Sequence, residues 1–183
     1  MKKLTLCLLA LCLLLPLVAC SETTEDGYTI PDGWQLISND NVDYYMVVPE
    51  DWITDLNTGV ISAKCSTVDP TNVTVITQEL KTGLTLDEYW EQYGVKNASL
   101  LGEVAFYTEG ASKMLHRAGD RTVPAKRYTY TATLEDMVYV FDQVVCICDN
   151  YVFLITMTAT EENYTDMHIS EFEDMIDHFL IRI

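Results

Sequence analysis

The chain has 183 residues and a formal net charge of −17, with 11 Lys and Arg side chains against 28 Asp and Glu. Nucleic acids and anionic lipid headgroups attract positive surfaces, so this charge excludes them as expected partners. The length is typical of one domain with a sizeable hydrophobic core. The acidity favours solubility outside the cell, and it would also suit a cationic partner or a divalent metal.

The N-terminus has the three-part pattern of a secretory signal. Lys2 and Lys3 give a positive start, and residues 4–18 are apolar apart from Thr5 and carry no charge. This run of about 15 residues is shorter than the ~20 that a membrane-spanning helix needs, and Pro16 interrupts it. A permanent transmembrane anchor is therefore the weaker interpretation.

The apolar run ends in Leu17-Val18-Ala19-Cys20, which resembles the lipobox of bacterial lipoproteins. In a lipobox, a peptidase cuts just before a cysteine whose thiol already carries a diacylglyceryl group. Ordinary signal peptidase is less favoured, because the small-x-small pattern that it prefers is poor here. We therefore predict a signal peptide at residues 1–19, lipidation of Cys20, and a location on the extracytoplasmic face of a bacterial cell membrane.

Cys20 and a flexible tether would occupy residues 20–27, because the segment SETTEDG has no apolar side chain to bury. A single domain would then run from residue 28 to residue 183. Its first part has short segments rich in aromatic and β-branched side chains, separated by turn residues, which predict antiparallel strands. The predicted strands span residues 34–38, 43–48, 60–64 and 73–79.

A helical pattern follows. Thr85 and Glu88 have the spacing of a capping box, and apolar residues recur at helical spacing over residues 86–93. Gly94 is expected to end or bend this helix. We predict a second helical piece at residues 97–109.

Strands are then predicted at residues 113–117, 125–133, 137–148 and 151–160. Segment 137–148 is apolar on both faces, whereas a strand with one wet face alternates with polar residues. Both faces of the sheet must therefore be covered, most simply by helices. A last helix would supply one cover, with a capping box at Ser170–Glu173 or an earlier start near Thr165. Its apolar stripe ends at Leu180.

The order of these elements, and several short motifs, resemble bacterial PsbP-like lipoproteins, which have the PsbP/Mog-type fold. The motifs are Tyr44 with VVPEDW at 47–52, LDEY at 86–89, VPA at 123–125 before YTY at 128–130, ITMTATEENY at 155–164 and the helix at 172–179. The resemblance implies the α/β class, with an α/β/α sandwich on a central antiparallel sheet of about six strands flanked by helices. It also implies an accessory or binding module, and it transfers no functional residue.

Three cysteines, Cys65, Cys146 and Cys148, remain after those of the signal and the lipidated Cys20. They would be small buried apolar residues, or Cys65 would form a disulfide with one of the others, or all three would bind a soft metal. Cys146 and Cys148 lie two apart on a predicted strand and so share one face. No histidine or carboxylate lies at ligand spacing in the sequence to complete a metal site.

The remaining reactive residues form no catalytic pattern. The three histidines, His116, His168 and His178, are scattered, and no hydrolase, metalloprotease or nucleotide-binding motif occurs. Several tyrosines would either line a glycan- or peptide-binding face or pack beneath helices: Tyr44, Tyr45, Tyr128, Tyr130 and Tyr139. We therefore predict no catalysis, no cofactor and no bound metal.

The sequence thus predicts a membrane-anchored extracytoplasmic lipoprotein that acts as a non-catalytic binding or accessory module. Its partners would be membrane lipid, through Cys20, and an unidentified protein or envelope component. One alternative is a thiol- or metal-binding module that uses Cys65, Cys146 and Cys148. A cell-envelope hydrolase is a weaker alternative, because the sequence offers no paired nucleophile and base.

Overall fold

The computed structural model of the chain describes residues 22–56, 60–81 and 83–183. The predicted signal peptide and Cys20 lie outside this part of the chain. The described residues divide into two compact units between Gly33 and Trp34. No helix among the described residues is long and apolar enough to span a bilayer.

In the first unit, the described residues form a small hairpin turn where the sequence predicted a flexible tether. Thr23 pairs with Thr29 in antiparallel orientation. The Thr24 hydroxyl accepts a hydrogen bond from the Tyr28 N–H at 3.0 Å. Polar side chains can organise such a segment through local bonds to the backbone, without burying apolar surface.

The described part of the second unit contains ten strands and four helical segments. The strands are β1 (Trp34–Ile37), β2 (Tyr44–Pro49), β3 (Ile53–Asp55), β4 (Ile61–Lys64), β5 (Asn72–Glu79), β6 (Val104–Arg117), β7 (Arg121–Leu134), β8 (Met137–Cys148), β9 (Tyr151–Thr160) and β10 (Leu180–Ile181). The helical segments are α1 (Leu86–Tyr89), a π-helical turn (Trp90–Gly94), α2 (Val95–Ser99) and α3 (Asp166–Asp177).

The strands form one sheet in the order β1-β2-β10-β6-β7-β8-β9-β5-β4-β3. Neighbours are antiparallel except β10 and β6, which run parallel. The two ends of the sheet approach each other, because Gln35 Nε2 in β1 donates to the Trp52 carbonyl beside β3 at 2.8 Å. The second unit is therefore a nearly closed, barrel-like sheet.

This architecture shows that the predicted α/β/α sandwich on about six strands is wrong. Strands account for 50% of the described residues and helices for 17%, so the fold is mostly sheet. β6 and β7 are 14 residues each, and the right-handed twist of long strands curls a sheet on itself. The helix predicted at 97–109 is wrong as well, because helical structure ends at Ser99 and β6 begins at Val104.

Two short strands were missed. β3 has three residues and β10 has two, too few to show the period of two that identifies a strand. Leu180, predicted on the stripe of the last helix, pairs instead with Tyr45 of β2 and His116 of β6. Tertiary neighbours, rather than local pattern, create these strands.

Apolar side chains pack on both sides of the sheet in two core clusters. The first includes Phe172, Met175 and Ile176 of α3, and the second includes residues of α1, the π-helical turn and α2. β8 contributes Val144 to the first cluster and Val145 to the second. Both faces of β8 are therefore covered, as its apolar pattern predicted.

Of the two predicted capping boxes, one is present. The Thr85 N–H donates to Glu88 Oε2 at 2.8 Å, and Thr85 Oγ1 accepts from the Glu88 N–H at 3.3 Å. The box predicted at Ser170–Glu173 is wrong, because α3 begins at Asp166 with Thr165 as its N-cap, which confirms the earlier of the two predicted starts.

Candidate functional site

Four side chains from distant parts of the chain meet at the start of α3: Cys65, Asp69, His168 and Glu171, here called the histidine cluster. His168 is 2% exposed, and its Nε2 lies 2.9 Å from Asp69 Oδ2 while its Nδ1 lies 2.8 Å from Glu171 Oε2. The Cys65 sulfur, an Asp69 carboxylate oxygen and a His168 ring nitrogen all lie within 4.8 Å of one another. A thiol, an imidazole and one carboxylate therefore converge on one point, and the second carboxylate, Glu171, contacts the other nitrogen of the ring.

The β4–β5 loop brings Cys65 and Asp69 into this position. Ser66 Oγ accepts a hydrogen bond from the Asp69 N–H at 2.9 Å, a turn that serine can make locally. The Cys65 N–H donates to the Thr71 carbonyl at 2.8 Å, which closes the loop. His168 comes from the first turn of α3, so the cluster joins a loop to a helix.

Charge and burial around the cluster keep the Cys65 thiol protonated. Burial is the largest of several causes that together raise the pKa of Cys65 to about 11. The negative charges of Asp69, Glu171 and Asp51 act in the same direction. Burial opposes a charge on His168, but its hydrogen bonds to Glu171 and Asp69 outweigh burial and raise its pKa above the ordinary value. A protonated thiol is a poor nucleophile, so this arrangement does not match a cysteine hydrolase.

The structure does not bring the three predicted thiols together. The Cys65 N–H bonds to the Thr71 carbonyl, and the strand pairings place Thr71 level with Val140 of β8 across the sheet. Cys146 lies about six residues further along β8. At roughly 3.3 Å per residue, this offset is about 20 Å along the strand, against roughly 4.4–6.8 Å between the Cα atoms of a disulfide. All three cysteines are free, and Cys146 and Cys148 are buried in the first core cluster.

The second feature is a cleft of about 320 Å³ between the helical segments at 86–99 and the sheet, here called the aromatic cleft. Its lining includes the rings of Tyr89, Trp90, Tyr130 and Phe141, with polar groups from Asn97, Gln143 and Thr156. No charged side chain is among the described residues that line it. Its size and mixed lining are typical of small-molecule sites, which are roughly 300–1,000 Å³ in volume.

A glycine makes the aromatic cleft possible. A Cβ at Gly94 would lie 2.1 Å from Cε3 of Trp90, so a side chain here would displace the indole ring. The ring stacks on Tyr128 with centroids 3.5 Å apart and an angle of 8°. Gly94 therefore makes room for a packed tryptophan, and the helix continues past it into α2 rather than ending there.

The five tyrosines considered for a binding face lie mostly in the core. Tyr44, Tyr45, Tyr128 and Tyr130 are buried, and Tyr139 is half-buried. Of these, Tyr130 also lines the aromatic cleft. The interpretation as packing residues is therefore the better one.

A second polar network, the arginine cluster, consists of Lys113, Arg127, Asp142 and Glu173. Asp142 is fully buried and accepts hydrogen bonds from Arg127 Nε and Nη2 at 2.7 and 2.5 Å. Its Oδ2 also accepts one from the Tyr164 hydroxyl at 2.8 Å. Glu173 of α3 forms ion pairs with both Lys113 and Arg127. The cluster thus ties α3 to β6, β7 and β8.

No protein-family model matches the sequence, and no curated protein has significant similarity to it. Solved structures do match. The solution structure of the cyanobacterial PsbP protein CyanoP from Synechocystis sp. PCC 6803 superposes with a TM-score of 0.57 and 16% identity, over 91% of this chain and 99% of that chain. This chain has the PsbP-like fold.

Two further structures match the PsbP-like chain. LpqN of Mycobacterium tuberculosis, described as involved in cell envelope biogenesis, has a TM-score of 0.53 and 14% identity, over 83% of this chain and 80% of that chain. A Pseudomonas aeruginosa protein of unknown function has a TM-score of 0.50 and 13% identity, over 78% and 93% of the two chains. These matches confirm the PsbP-like resemblance seen in the sequence, and at such identities they show the fold alone.

Within this PsbP-like chain, sequence analysis missed the histidine cluster. Asp69 and His168 are 99 residues apart, and no local spacing connects them. The signals that were present are weak: Asp69 follows Cys65 by four residues, and Glu171 follows His168 by three on one helix face. Only the fold brings the two pairs together.

Proposed function

We propose that this PsbP-like chain is an extracytoplasmic accessory lipoprotein that binds a partner without catalysing a reaction. The Leu17-Val18-Ala19-Cys20 motif at the end of an apolar run supports anchoring through Cys20. Two acyl chains hold a protein at a membrane where a single chain binds only reversibly. The domain would therefore bind a component of the membrane or cell envelope.

The aromatic cleft is the observation that carries the binding role. A concave site without a charged lining is notable on a chain whose net charge is −17. Because a charged ligand would lose hydration there without finding a counter-charge, the cleft favours an uncharged ligand. Aromatic rings would contact its apolar faces, and the amides of Asn97 and Gln143 would bond to its hydroxyl or carbonyl groups.

The histidine cluster supports the absence of catalysis. It is the described group that comes closest to a nucleophile–base pair, yet its thiol is held protonated and both ring nitrogens of His168 already have carboxylate partners. A base must have a free nitrogen directed at the proton that it removes. Cys65 and His168 therefore lack the geometry of an activated pair.

The anchor is tested by replacing Cys20 with alanine in the full chain and fractionating intact cells. The native chain is expected in the membrane fraction, with an acylated cysteine at its N-terminus by mass spectrometry. Cys20→Ala should abolish acylation, and Cys65→Ala serves as the matched control that keeps it. A mature N-terminus other than Cys20 would contradict the proposal.

The cleft is tested by placing a photo-crosslinking amino acid at Leu101, which lines it, and irradiating intact cells. Asn97→Lys adds a charge to the lining at an exposed position and should reduce crosslinking at least several-fold. Gln92→Lys adds the same charge to the same helical region away from the lining and should have no effect. Equal reductions by both variants, or none by either, would remove the aromatic cleft as the binding site.

A further inference from the structure

The histidine cluster combines three ligand types that suit one kind of metal ion. We propose that Cys65, Asp69 and His168 bind a divalent transition-metal ion of the zinc class. Thiolate sulfur, imidazole nitrogen and carboxylate oxygen are the ligands that zinc uses in proteins. This site is different from the thiol set considered from the sequence, because it takes only Cys65 from that set and adds two residues that the fold supplies. It depends neither on the anchor nor on the aromatic cleft.

The geometry needs only a small adjustment to accept an ion. Zinc–ligand bonds of roughly 2.0–2.3 Å in a tetrahedron place neighbouring ligand atoms about 3.5 Å apart. The three ligand atoms lie within 4.8 Å of one another, and His168 Nε2 is 2.9 Å from Asp69 Oδ2. An ion would displace the proton that these two atoms now share, and Cys65 would release its thiol proton to solvent and bind the ion as a thiolate.

Hydrogen bonds with neighbouring groups hold His168 and Asp69 in the way that metal ligands are usually oriented. Glu171 bonds to His168 Nδ1 at 2.8 Å, which leaves Nε2 to face the ion as in a carboxylate–histidine–metal arrangement. The second oxygen of Asp69, Oδ1, accepts hydrogen bonds from the Thr71 N–H and the Asn163 side chain, both at 2.9 Å. His168 and Asp69 are therefore each held by partners that leave one ligand atom directed at the centre.

Thr71 provides an independent sign that something polar belongs at this position. Its side chain is fully buried beside the Asp69 carboxylate. Among the described residues, its hydroxyl completes no hydrogen bond of regular geometry, although it lies near enough to the Asp69 carboxylate to lower the pKa of that group. A buried hydroxyl without a partner is costly. Three protein ligands leave a fourth position for water on a zinc ion, and such a water would satisfy the Thr71 hydroxyl.

The charges also favour a cation. Asp69 and Glu171 form ion pairs with His168, and neither pairs with a lysine or arginine within the described part of the chain. Asp51 adds a third carboxylate close enough to act on Cys65. A divalent ion would neutralise this excess. Sulfur and imidazole disfavour calcium and magnesium, which prefer oxygen ligands, so the site should select a softer ion.

The ion would link the β4–β5 loop to α3. Cys65 and Asp69 belong to the loop, and His168 belongs to the helix that covers the first core cluster. Metal binding would therefore stabilise the fold, because the ligands are brought together only in the folded chain. Cys65 is half-buried and Asp69 is a quarter exposed, which gives the ion a path from solvent.

Cobalt titration tests the site, because Co²⁺ reports thiolate ligation through a charge-transfer absorption band. The protein used is the full chain in detergent and reducing agent, with Cys7, Cys12 and Cys20 changed to alanine so that three thiols remain. We expect one equivalent of Co²⁺ with this band and its displacement by Zn²⁺. Mg²⁺ and Ca²⁺ should neither produce nor displace the signal.

The variants assign the ligands. Cys65→Ala should abolish the charge-transfer band, whereas Cys148→Ala, which removes a buried thiol elsewhere in the fold, should keep it. His168→Gln should weaken binding about 100-fold or more, and His116→Gln is its matched control on an exposed histidine. Glu171→Gln, which alters an outer contact, should weaken binding about 10–100-fold.

Two results would overturn the proposal: a thiolate band that persists in Cys65→Ala, or no thiolate band in a chain that circular dichroism shows to be folded. Should His168→Gln fail to fold, Cys65→Ala decides the question, because its side chain is small and only half-buried. Loss of membrane anchoring or of crosslinking in the aromatic cleft would leave this result unchanged, so the two proposals fail separately.

Discussion

Two polar clusters link α3 to the rest of the second unit. They differ in how far their positive charges offset their negative charges. In the arginine cluster, the cations of Lys113 and Arg127 face the carboxylates of Asp142 and Glu173. Two positive charges meet two negative charges, and the buried Asp142 has its Arg127 partner in a two-bond geometry. Such a network is complete by itself.

The histidine cluster is not balanced in this way. Its one potential cation, His168, faces the carboxylates of Asp69 and Glu171, with Asp51 and the Cys65 thiol nearby. A complete ion network therefore acts as a structural joint, whereas an excess of carboxylates beside sulfur and imidazole leaves a place for an added cation. Stability measurements on variants of the two clusters distinguish these roles.

The largest loss of stability is expected from Arg127→Met. The variant would leave Asp142 buried without its cation, and removal of one partner of a buried ion pair costs about 3–5 kcal/mol. Urea unfolding of the full chain measures the effect. The double variant Arg127→Met/Asp142→Leu removes both charges and should regain most of the loss. A single variant within about 1 kcal/mol of the native chain would refute the structural-joint interpretation.

His168→Gln should cost less, about 1–3 kcal/mol in the presence of a chelator, as expected for a buried hydrogen-bonding group that loses its partner. The carboxylates it leaves behind, Asp69 and Glu171, are 25% and 24% exposed and remain partly hydrated. The same urea unfolding experiment compares the two variants directly. A larger loss than for Arg127→Met would show that the histidine cluster, not the arginine cluster, is the main joint.

The two clusters should respond to pH in opposite directions. The pKa of His168 is raised, so in metal-free protein its contribution to stability is complete below the unfolded value of 6.5 and is lost as pH rises through the folded pKa. Burial opposes ionisation of Glu173, but hydrogen bonds from Lys113 and Arg127 lower its pKa. Its contribution is therefore present above 4.5 and is lost as pH falls through the folded pKa.

Melting temperatures measured across this pH range test whether the contributions of His168 and Glu173 to stability rise or fall with pH. The difference between the native chain and His168→Gln should shrink on going from acid to alkaline pH, and the difference from Glu173→Gln should shrink toward acid. The titratable groups that face His168 are Asp69, Glu171 and Cys65. They are the same in the native chain and in His168→Gln. Parallel pH profiles for the two variants would contradict the prediction.

The smallest effect is expected from Lys113→Met. Its side chain is 27% exposed and that of Glu173 is 34% exposed, and partly hydrated ion pairs contribute about 1 kcal/mol or less. Glu173 also keeps Arg127 as a partner. Thermal unfolding at low and high salt should show a small difference from the native chain that shrinks further in high salt.

Local pattern was sufficient for the longer, regular elements. The predicted strands at 137–148 and 151–160 match β8 and β9 as the structure has them, because long alternation of branched and aromatic side chains is a strong signal. The capping box at Thr85 was also found, since both of its partners lie within one turn. The resemblance to PsbP-like proteins rested on such core and turn residues.

The failures occurred where local signals were short or ambiguous. Val104 and Phe106 fit either a helix face or an alternating strand, and pairing with β7 decided for the strand. The estimate of six strands came from the family resemblance, whereas the local patterns predicted eight. The two strands that they missed, β3 and β10, gain their hydrogen bonds from partners elsewhere in the chain. At the site, Cys65 was considered together with Cys146 and Cys148, from which the structure separates it, because the sequence does not give the sheet register.

The sequence by itself determined the acidic charge, the lipobox-like motif, the main strands and the first helix, because each of these depends on residues within a few positions of one another. The tertiary structure alone decided that the sheet would curl toward closure and that His168 would meet Asp69. Both depend on contacts between residues tens of positions apart, for which many strand registers are available. Burial of the apolar faces stabilises one register, and that register places the polar groups of the histidine cluster.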